Sequence, residues 1–303
     1  MLGRVVEICG SGRYLSLYRG FLVVSNVDGE LARVPLDDLC AVIGDAYGLT
    51  WSQNILVELA NRGVPVVLCG SNHAPVAWLW PVVGHHAQTL RMHKQIGASV
   101  PLRKRIWQQL VQAKLRNQAE ILNDAGADST FLLASARRVR SGDAANLEAQ
   151  AASHYWPSLL GANFRRNREL SDINGQLNYG YTVLRSAAAR AIAGAGLHPS
   201  IGVHHHHRND PFCLVDDIME PFRPLVDLKA RKLYDRGVTA VNEEAKRELC
   251  SVLEHQVPTA VGLSPVRLAL ERLAYSLTAS FENGKCALDL PFRLLTPERP
   301  EAA

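Results

Sequence analysis

Apolar and polar residues alternate in short runs through the first eighty positions. Residues 5–8, 14–18, 21–25 and 31–35 are rich in β-branched and aromatic side chains, and a period of two over so few residues predicts strands. Arg19-Gly20 and Asp28-Gly29 lie between such runs and suit tight hairpins, whose central residues need positive φ. One amphipathic segment, 52–62, opens on serine and stops at Gly63, as a capped helix does. Strand character returns at 64–69 and 76–80. Pro81-Val82-Val83-Gly84 ends that pattern, and from His86 the period lengthens. Between 102 and 122, Ile106, Leu110, Val111, Leu115, Ile121 and Leu122 form one apolar stripe. Further helices are expected at 145–160, 173–193, 215–236, 243–254 and 265–281. The pattern predicts an α+β protein, with a small β-rich N-terminal domain over 1–85 and a larger all-helical C-terminal domain over 86–303. The end of the chain, Thr296 to Ala303, reads as disordered.

Charge adds a direction to this picture. The net charge of +4 is unevenly spread. Residues 1–85 hold 5 Lys+Arg against 7 Asp+Glu, residues 86–170 hold 13 against 6, and residues 171–303 hold 15 against 16. The excess sits in Arg103-Lys104-Arg105, Arg137-Arg138-Val139-Arg140 and Arg165-Arg166-Asn167-Arg168. Any one cluster is equally well a solvated helical face. Three within one stretch point to phosphate backbones, with Arg137, Arg138, Arg165 and Arg166 as the expected DNA contacts. The poorly basic, strand-rich residues 1–85 lack any catalytic constellation and are the expected surface of a homodimer. The six cysteines are scattered, with no zinc-ligand or redox-motif spacing. No apolar run approaches the roughly 18 residues that span a bilayer, and the N-terminus lacks a secretory core, so a cytoplasmic protein with no membrane partner is expected.

Candidate chemistry concentrates between Gly202 and Asp227. Four consecutive histidines, His204 to His207, precede a predicted helix on which Asp217 and Glu220 lie three apart, and hence on one face. Two carboxylates directed to one place repel, and a divalent cation would remove that cost. Carboxylates with one imidazole suit Mg2+ or Mn2+, the imidazole favouring Mn2+. An ordinary ion pair between Glu220 and Arg223 accounts for part of the same pattern. Upstream, Asp143 is a candidate cap for an Ala-rich helix that carries Glu148, and by pattern alone Glu148 is a solvated helix glutamate.

Taken together these residues resemble the universal CRISPR-associated spacer-acquisition integrases, in the form found in type II systems. The resemblance rests on Asn146-Leu147-Glu148-Ala149, on Asp217-Ile218-Met219-Glu220-Pro221-Phe222-Arg223-Pro224, and on the run from Asp172 through Asn178-Tyr179-Gly180-Tyr181 between them. His205 lies fifteen positions before Glu220, the spacing common in that family, and Ala149 stands where many members have glycine. The resemblance implies a metal-dependent DNA endonuclease and integrase that inserts short duplexes into a CRISPR array by 3′-hydroxyl attack on a repeat phosphodiester. Glu148, His205 and Glu220 would hold Mg2+ or Mn2+, with Asp217 as a fourth catalytic residue that orients the histidine, bridges through water or joins the coordination shell. Double-stranded DNA (the incoming duplex and the repeat), a second copy of the chain and a small ferredoxin-like partner are the implied partners. A non-catalytic DNA-binding scaffold, or a metal-dependent repair nuclease without integration, are the alternatives.

Overall fold

The strand-forming segments assemble into two sheets rather than one. The computed structural model describes residues 4–70, 75–167 and 169–295, so Thr296 to Ala303 and Arg168 lie outside the described residues. Strands β1 (Arg4–Ile8), β2 (Tyr14–Tyr18), β3 (Phe21–Asn26), β4 (Gly29–Pro35), β5 (Leu39–Gly44) and β6 (Thr50–Trp51) are followed by helix α1 (Gln53–Asn61), then β7 (Val66–Cys69) and β8 (Pro75–Leu79). One sheet has the order β4-β3-β2-β6, its first three strands joined by antiparallel hairpins. The hairpin at Arg19-Gly20 has φ of 46° and 82° at those residues, as its tight turn requires. The other sheet, β1-β5-β7-β8, is parallel apart from its last pair.

That second sheet explains a strand the pattern missed. Every residue of β5 is buried, because the sheet is covered on both faces. Val42 and Val66 pack with Ile55 and Leu59 of α1, while Cys40, Ile43 and Val67 join the core of the helical region. A strand buried on both sides has no alternation to detect.

The helical region begins with α2 (Gln88–Ile96) and the 25-residue α3 (Val100–Asp124), then α4 (Thr130–Arg138), α5 (Leu147–Leu160) and α6 (Ile173–Gly194). Helices α7 (Cys213–Met219), α8 (Arg223–Asp235), α9 (Glu243–Cys250) and α10 (Val266–Asn283) complete it. The fold is mixed α+β, with sheets first and helices after. Two expectations need correcting. The single helix expected over 215–236 is broken by a 3-10 turn, Glu220–Phe222, where Pro221 and Pro224 withhold backbone donors. The later region is also not entirely helical: β9 (Gln256–Thr259) and β10 (Gly262–Pro265) form an antiparallel hairpin, whose turn reaches Gly262 at φ 106°.

Candidate metal and nucleic-acid site

Glu148 is aimed by an unusual loop. Gly142, Asp143 and Asn146 all adopt positive φ (75°, 48° and 52°), a strained path for the two residues that carry a Cβ. The Asp143 carboxylate offsets it by accepting from the backbone N–H groups of Leu147 and Glu148, each at 3.0 Å. Asp143 therefore satisfies the first turn of α5 from outside the helix, as its capping chemistry suggested, while Asn146 occupies the geometric cap position. Glu148 emerges in that first turn, where the helix dipole favours a carboxylate.

The histidine run is organised by Asp217. This fully buried side chain accepts from the amides of Val203 (2.6 Å), His204 (3.1 Å) and His205 (3.2 Å), and from His205 Nδ1 at 2.7 Å. Bound to a carboxylate, Nδ1 carries the proton, so His205 presents Nε2 as a free donor atom. The hydrogen bond to Asp217 raises the His205 pKa, against burial that lowers it. Gly202 has to be glycine, because a Cβ there would lie 2.3 Å from the His205 carbonyl and 2.8 Å from Asp217 Oδ2. Trp107 of α3 forms the floor, stacked on His204 (4.1 Å, 2° between planes) with His205 edge-on at 5.5 Å.

Glu220 opens the 3-10 turn that follows α7. Asp217 and Glu220 do not share one ligand position, as the unbroken-helix reading expected. Asp217 is committed to the loop, whereas Glu220 Oε1 lies 3.0 Å from Arg223 Nε and Oε2 lies 2.5 Å from Lys114 Nζ. The ordinary Glu220–Arg223 ion pair is thus present as well. Lys114 Nζ is also 2.5 Å from Glu148 Oε1. Burial pushes the Glu220 carboxyl up, but Arg223 and Lys114 outweigh it and leave the pKa lowered. Among the described residues no three His, Cys, Asp or Glu side chains are closed into a metal-ligating cluster. What converges is two carboxylates on one cationic nitrogen, with the His205 ring in electrostatic reach of Glu220. Two carboxylates and an imidazole are donors of the kind that suits a hard divalent cation, and the position between the carboxylates is taken by the Lys114 ammonium. Glu220 Oε2, buried and without a well-angled hydrogen bond, is an acceptor with spare capacity.

Pattern reading missed three contributors on α3. Trp107 and Lys114 are seven residues apart on one face, and Asn117 on the following turn donates to the Pro221 carbonyl at 2.7 Å, fixing the 3-10 turn under Glu220. The signal was there: a lysine and the buried Asn117 and Gln118 interrupt an apolar stripe.

The basic residues divide into two kinds. Arg137 and Arg138, at the C-terminal end of α4, are exposed and make no ion pair among the described residues, like Lys104, Arg105, Arg140 and Lys285. They belong to one surface: Gln108 and Gln112 of α3 both donate to the Val139 carbonyl, and Lys104 lies against Gly142. Arg165 is exposed but turns Nη1 back onto the carbonyls of Ala162 and Phe164. Arg166 is half-buried, donating to Asn174 (3.1 Å) and Asn178 (2.6 Å) with its guanidinium over Tyr181. Arg166 thus has a structural task that the charge count did not reveal.

Behind Lys114 opens a cleft of about 1320 Å³, reaching from Lys114, Arg223 and Asp227 past Arg185 to Lys246 and Glu7 of the β1-β5-β7-β8 sheet. Glu148, His205 and Glu220 lie outside its lining. Asp227 is fully buried, bonded by Tyr155 at 2.9 Å and by Tyr181; burial raises its pKa to about 6 against the two hydroxyl donors. At the far end Glu7 takes Lys246 at 2.7 Å and the Tyr179 hydroxyl at 2.8 Å.

A family profile described as CRISPR associated protein Cas1 matches residues 6–254. The chain belongs to the Cas1 family. A CRISPR-associated endonuclease Cas1 from Neisseria meningitidis serogroup C (strain 8013) is 36% identical over 251 residues, 82% of each chain. Two solved structures share the fold at lower identity. A casposase bound to integration product has a TM-score of 0.81 at 19% identity, over 98% of this chain and 95% of that one. A chain of a Cas6-RT-Cas1–Cas2 complex has 0.75 at 19%, over 97% of this chain and 36% of that longer one. Among the described residues no helix is long and apolar enough to cross a membrane.

Proposed function

We propose that this Cas1 chain is a metal-dependent DNA endonuclease and integrase that joins short duplexes to a CRISPR repeat. The observation that carries the reading is the convergence of Glu148 and Glu220, from separate elements, on a single cation position beside His205. The meningococcal relative is named an endonuclease and the casposase is bound to an integration product, which supports the same chemistry. Glu148, His205 through Nε2, and Glu220 would hold Mg2+ or Mn2+; when bound, such a cation polarises a phosphoryl oxygen and acidifies the attacking hydroxyl. The 3′-hydroxyl oxygen of the incoming strand forms a bond to phosphorus as the repeat's own 3′-oxygen leaves, so one phosphodiester replaces another. Water in place of the hydroxyl gives cleavage. Asp217 acts through His205 as a positioning residue, holding the imidazole with Nδ1 protonated.

The remaining partners follow from the same reading. Double-stranded DNA, both protospacer and repeat, lies on the exposed cations of α3 and α4. A second copy docks through the N-terminal sheets, where residues 29–33 of edge strand β4 are all exposed, and a small ferredoxin-like protein completes the assembly, as Cas2 is named beside Cas1 in the neighbouring complex. Purified chain, its small partner, a short duplex and a supercoiled repeat plasmid are expected to yield half-site products with Mn2+ and none with chelator. Nicking without a joined strand would reduce the reading to a nuclease, and joining in chelator would remove the metal from it. Light scattering of the same chain by itself is expected to return twice the chain mass.

The two kinds of arginine make separate predictions. Neutralising Arg137 and Arg138 together is expected to lower the slope of log affinity against log salt by roughly 1.8 for duplex DNA, about 0.9 for each phosphate left without its arginine, and equally for unrelated sequences. Arg166→Gln is expected to leave the slope unchanged while lowering the melting temperature. The reverse pattern, measured by fluorescence anisotropy over a salt series, would move the DNA path to the cleft.

A further inference from the structure

Lys114 belongs to neither the expected ligands nor the exposed cations. Its ammonium sits 2.5 Å from a carboxylate oxygen of both Glu148 and Glu220, with only 13% of the side chain exposed. Its backbone is fixed on α3, which Trp107 and Asn117 anchor to the histidine loop and to the 3-10 turn. Its side chain is long and flexible, and it also lines the 1320 Å³ cleft, whose wall carries Asp216 and Asp227. The lysine therefore has two places to put its charge: between the two glutamates, or in the open space behind them.

We propose that Lys114 is a resident counter-ion that keeps Glu148 and Glu220 assembled before a divalent cation arrives, and that withdraws into the cleft when one binds. Two carboxylates directed at one point repel, and without a cation they would part. One ammonium between them offsets this and preserves the spacing of the pair. An ammonium and a divalent cation compete for the same oxygens, because they would face each other as +1 against +2 within a few ångström in a poorly screened site. Metal binding thus carries a displacement cost set by Lys114. In exchange the site is preorganised and the displaced charge is delivered to the wall of an adjoining cavity. The inference rests on the reading that Glu148 and Glu220 take a divalent cation.

Calorimetric titration with Mn2+ of the full chain, Lys114→Met and Lys114→Arg tests this, with Glu220→Gln identifying the heat that belongs to the site. Lys114→Met is expected to bind Mn2+ roughly tenfold or more tightly than the unmodified chain, because no ammonium then has to be displaced from the carboxylates. Its metal-free melting temperature is expected to fall and to recover on adding Mn2+. Lys114→Arg retains the charge and stays near the unmodified chain. Equal or weaker binding by folded Lys114→Met overturns the counter-ion role while leaving the metal reading in place. Absence of site-specific binding in every variant overturns both. Should Lys114→Met fail to fold, acetylation of Lys114 in the unmodified chain, followed by mass spectrometry, decides the matter. Saturating Mn2+ is expected to increase the modification as the amine leaves the glutamates, and unchanged or reduced modification overturns the proposal.

Discussion

Glu148→Ala, His205→Ala and Glu220→Ala are each expected to lower Mn2+-dependent cleavage and strand transfer by roughly a hundredfold to a thousandfold or more, the scale on which removing one preorganised group weakens transition-state stabilisation. Their stabilities are expected to diverge. By sequence alone the three sites look open and partly solvated, so that losing a carboxylate relieves repulsion and leaves stability unchanged or raised. The structure reverses this for Glu220, whose side chain is 4% exposed between Lys114 and Arg223. Glu220→Ala leaves Arg223 without its carboxylate and Lys114 with Glu148 alone, at a cost of about 3 kcal/mol. Glu148 is 23% exposed and shares only Lys114, so its loss is expected to be much milder, about 1 kcal/mol or less. Differential scanning calorimetry without metal separates the two cases. A Glu220→Ala chain that melts with the unmodified protein would refute the buried ion-pair account, and near-normal turnover in any of the three would remove that residue from the site.

Asp217→Asn is expected to disable the site without removing any proposed ligand. The carboxylate accepts four hydrogen bonds, three from consecutive backbone amides and one from His205 Nδ1. Asparagine turns one of those acceptors into a donor, setting an NH2 against N–H groups it cannot satisfy. The expected loss is about 2–4 kcal/mol from buried donors left unpaired, and metal affinity is expected to drop about 10–100-fold as His205 loses its orientation. Hydrogen exchange at the amides of Val203 to His205 reports the first effect directly. If those amides stay protected and Mn2+ binding is unchanged, Asp217 does not organise the loop.

Legibility from sequence followed the physics of each element. The hairpin strands were readable from β-branched and aromatic runs between turn residues and α1 from its amphipathic stripe, whereas the 215–236 break was missed although Pro221 and Pro224 mark it. Strand β5, apolar at nearly every position, carried no period. His205 was picked out from its neighbours only by the spacing common in the family it resembles, and the structure gives it, alone among the four histidines, a side-chain bond to Asp217. Glu148 had no local signal: a glutamate in an Ala-rich helix looks solvated, and what aims it is a loop of positive-φ residues that pattern analysis does not see. Lys114 was passed over because a lysine within a predicted helix is usually solvent-facing, and only the register of its stripe argued otherwise.

The two-faced burial of the β1-β5-β7-β8 sheet bears on how such chains can recombine and be made. Cys40, Ile43 and Val67 belong to the helical core, and Arg190 of α6 donates to the Leu39 carbonyl at 2.9 Å. A chimera joining the first eighty residues of one relative to the helices of another would have to rematch that apolar seam and the Glu7–Lys246–Tyr179 clamp together. During synthesis the sheet leaves the ribosome before the helices, with one face bare until α6 and α9 follow. Cooperative completion therefore waits on the late helices, and a chain halted before them presents an apolar surface that a chaperone would be expected to cover.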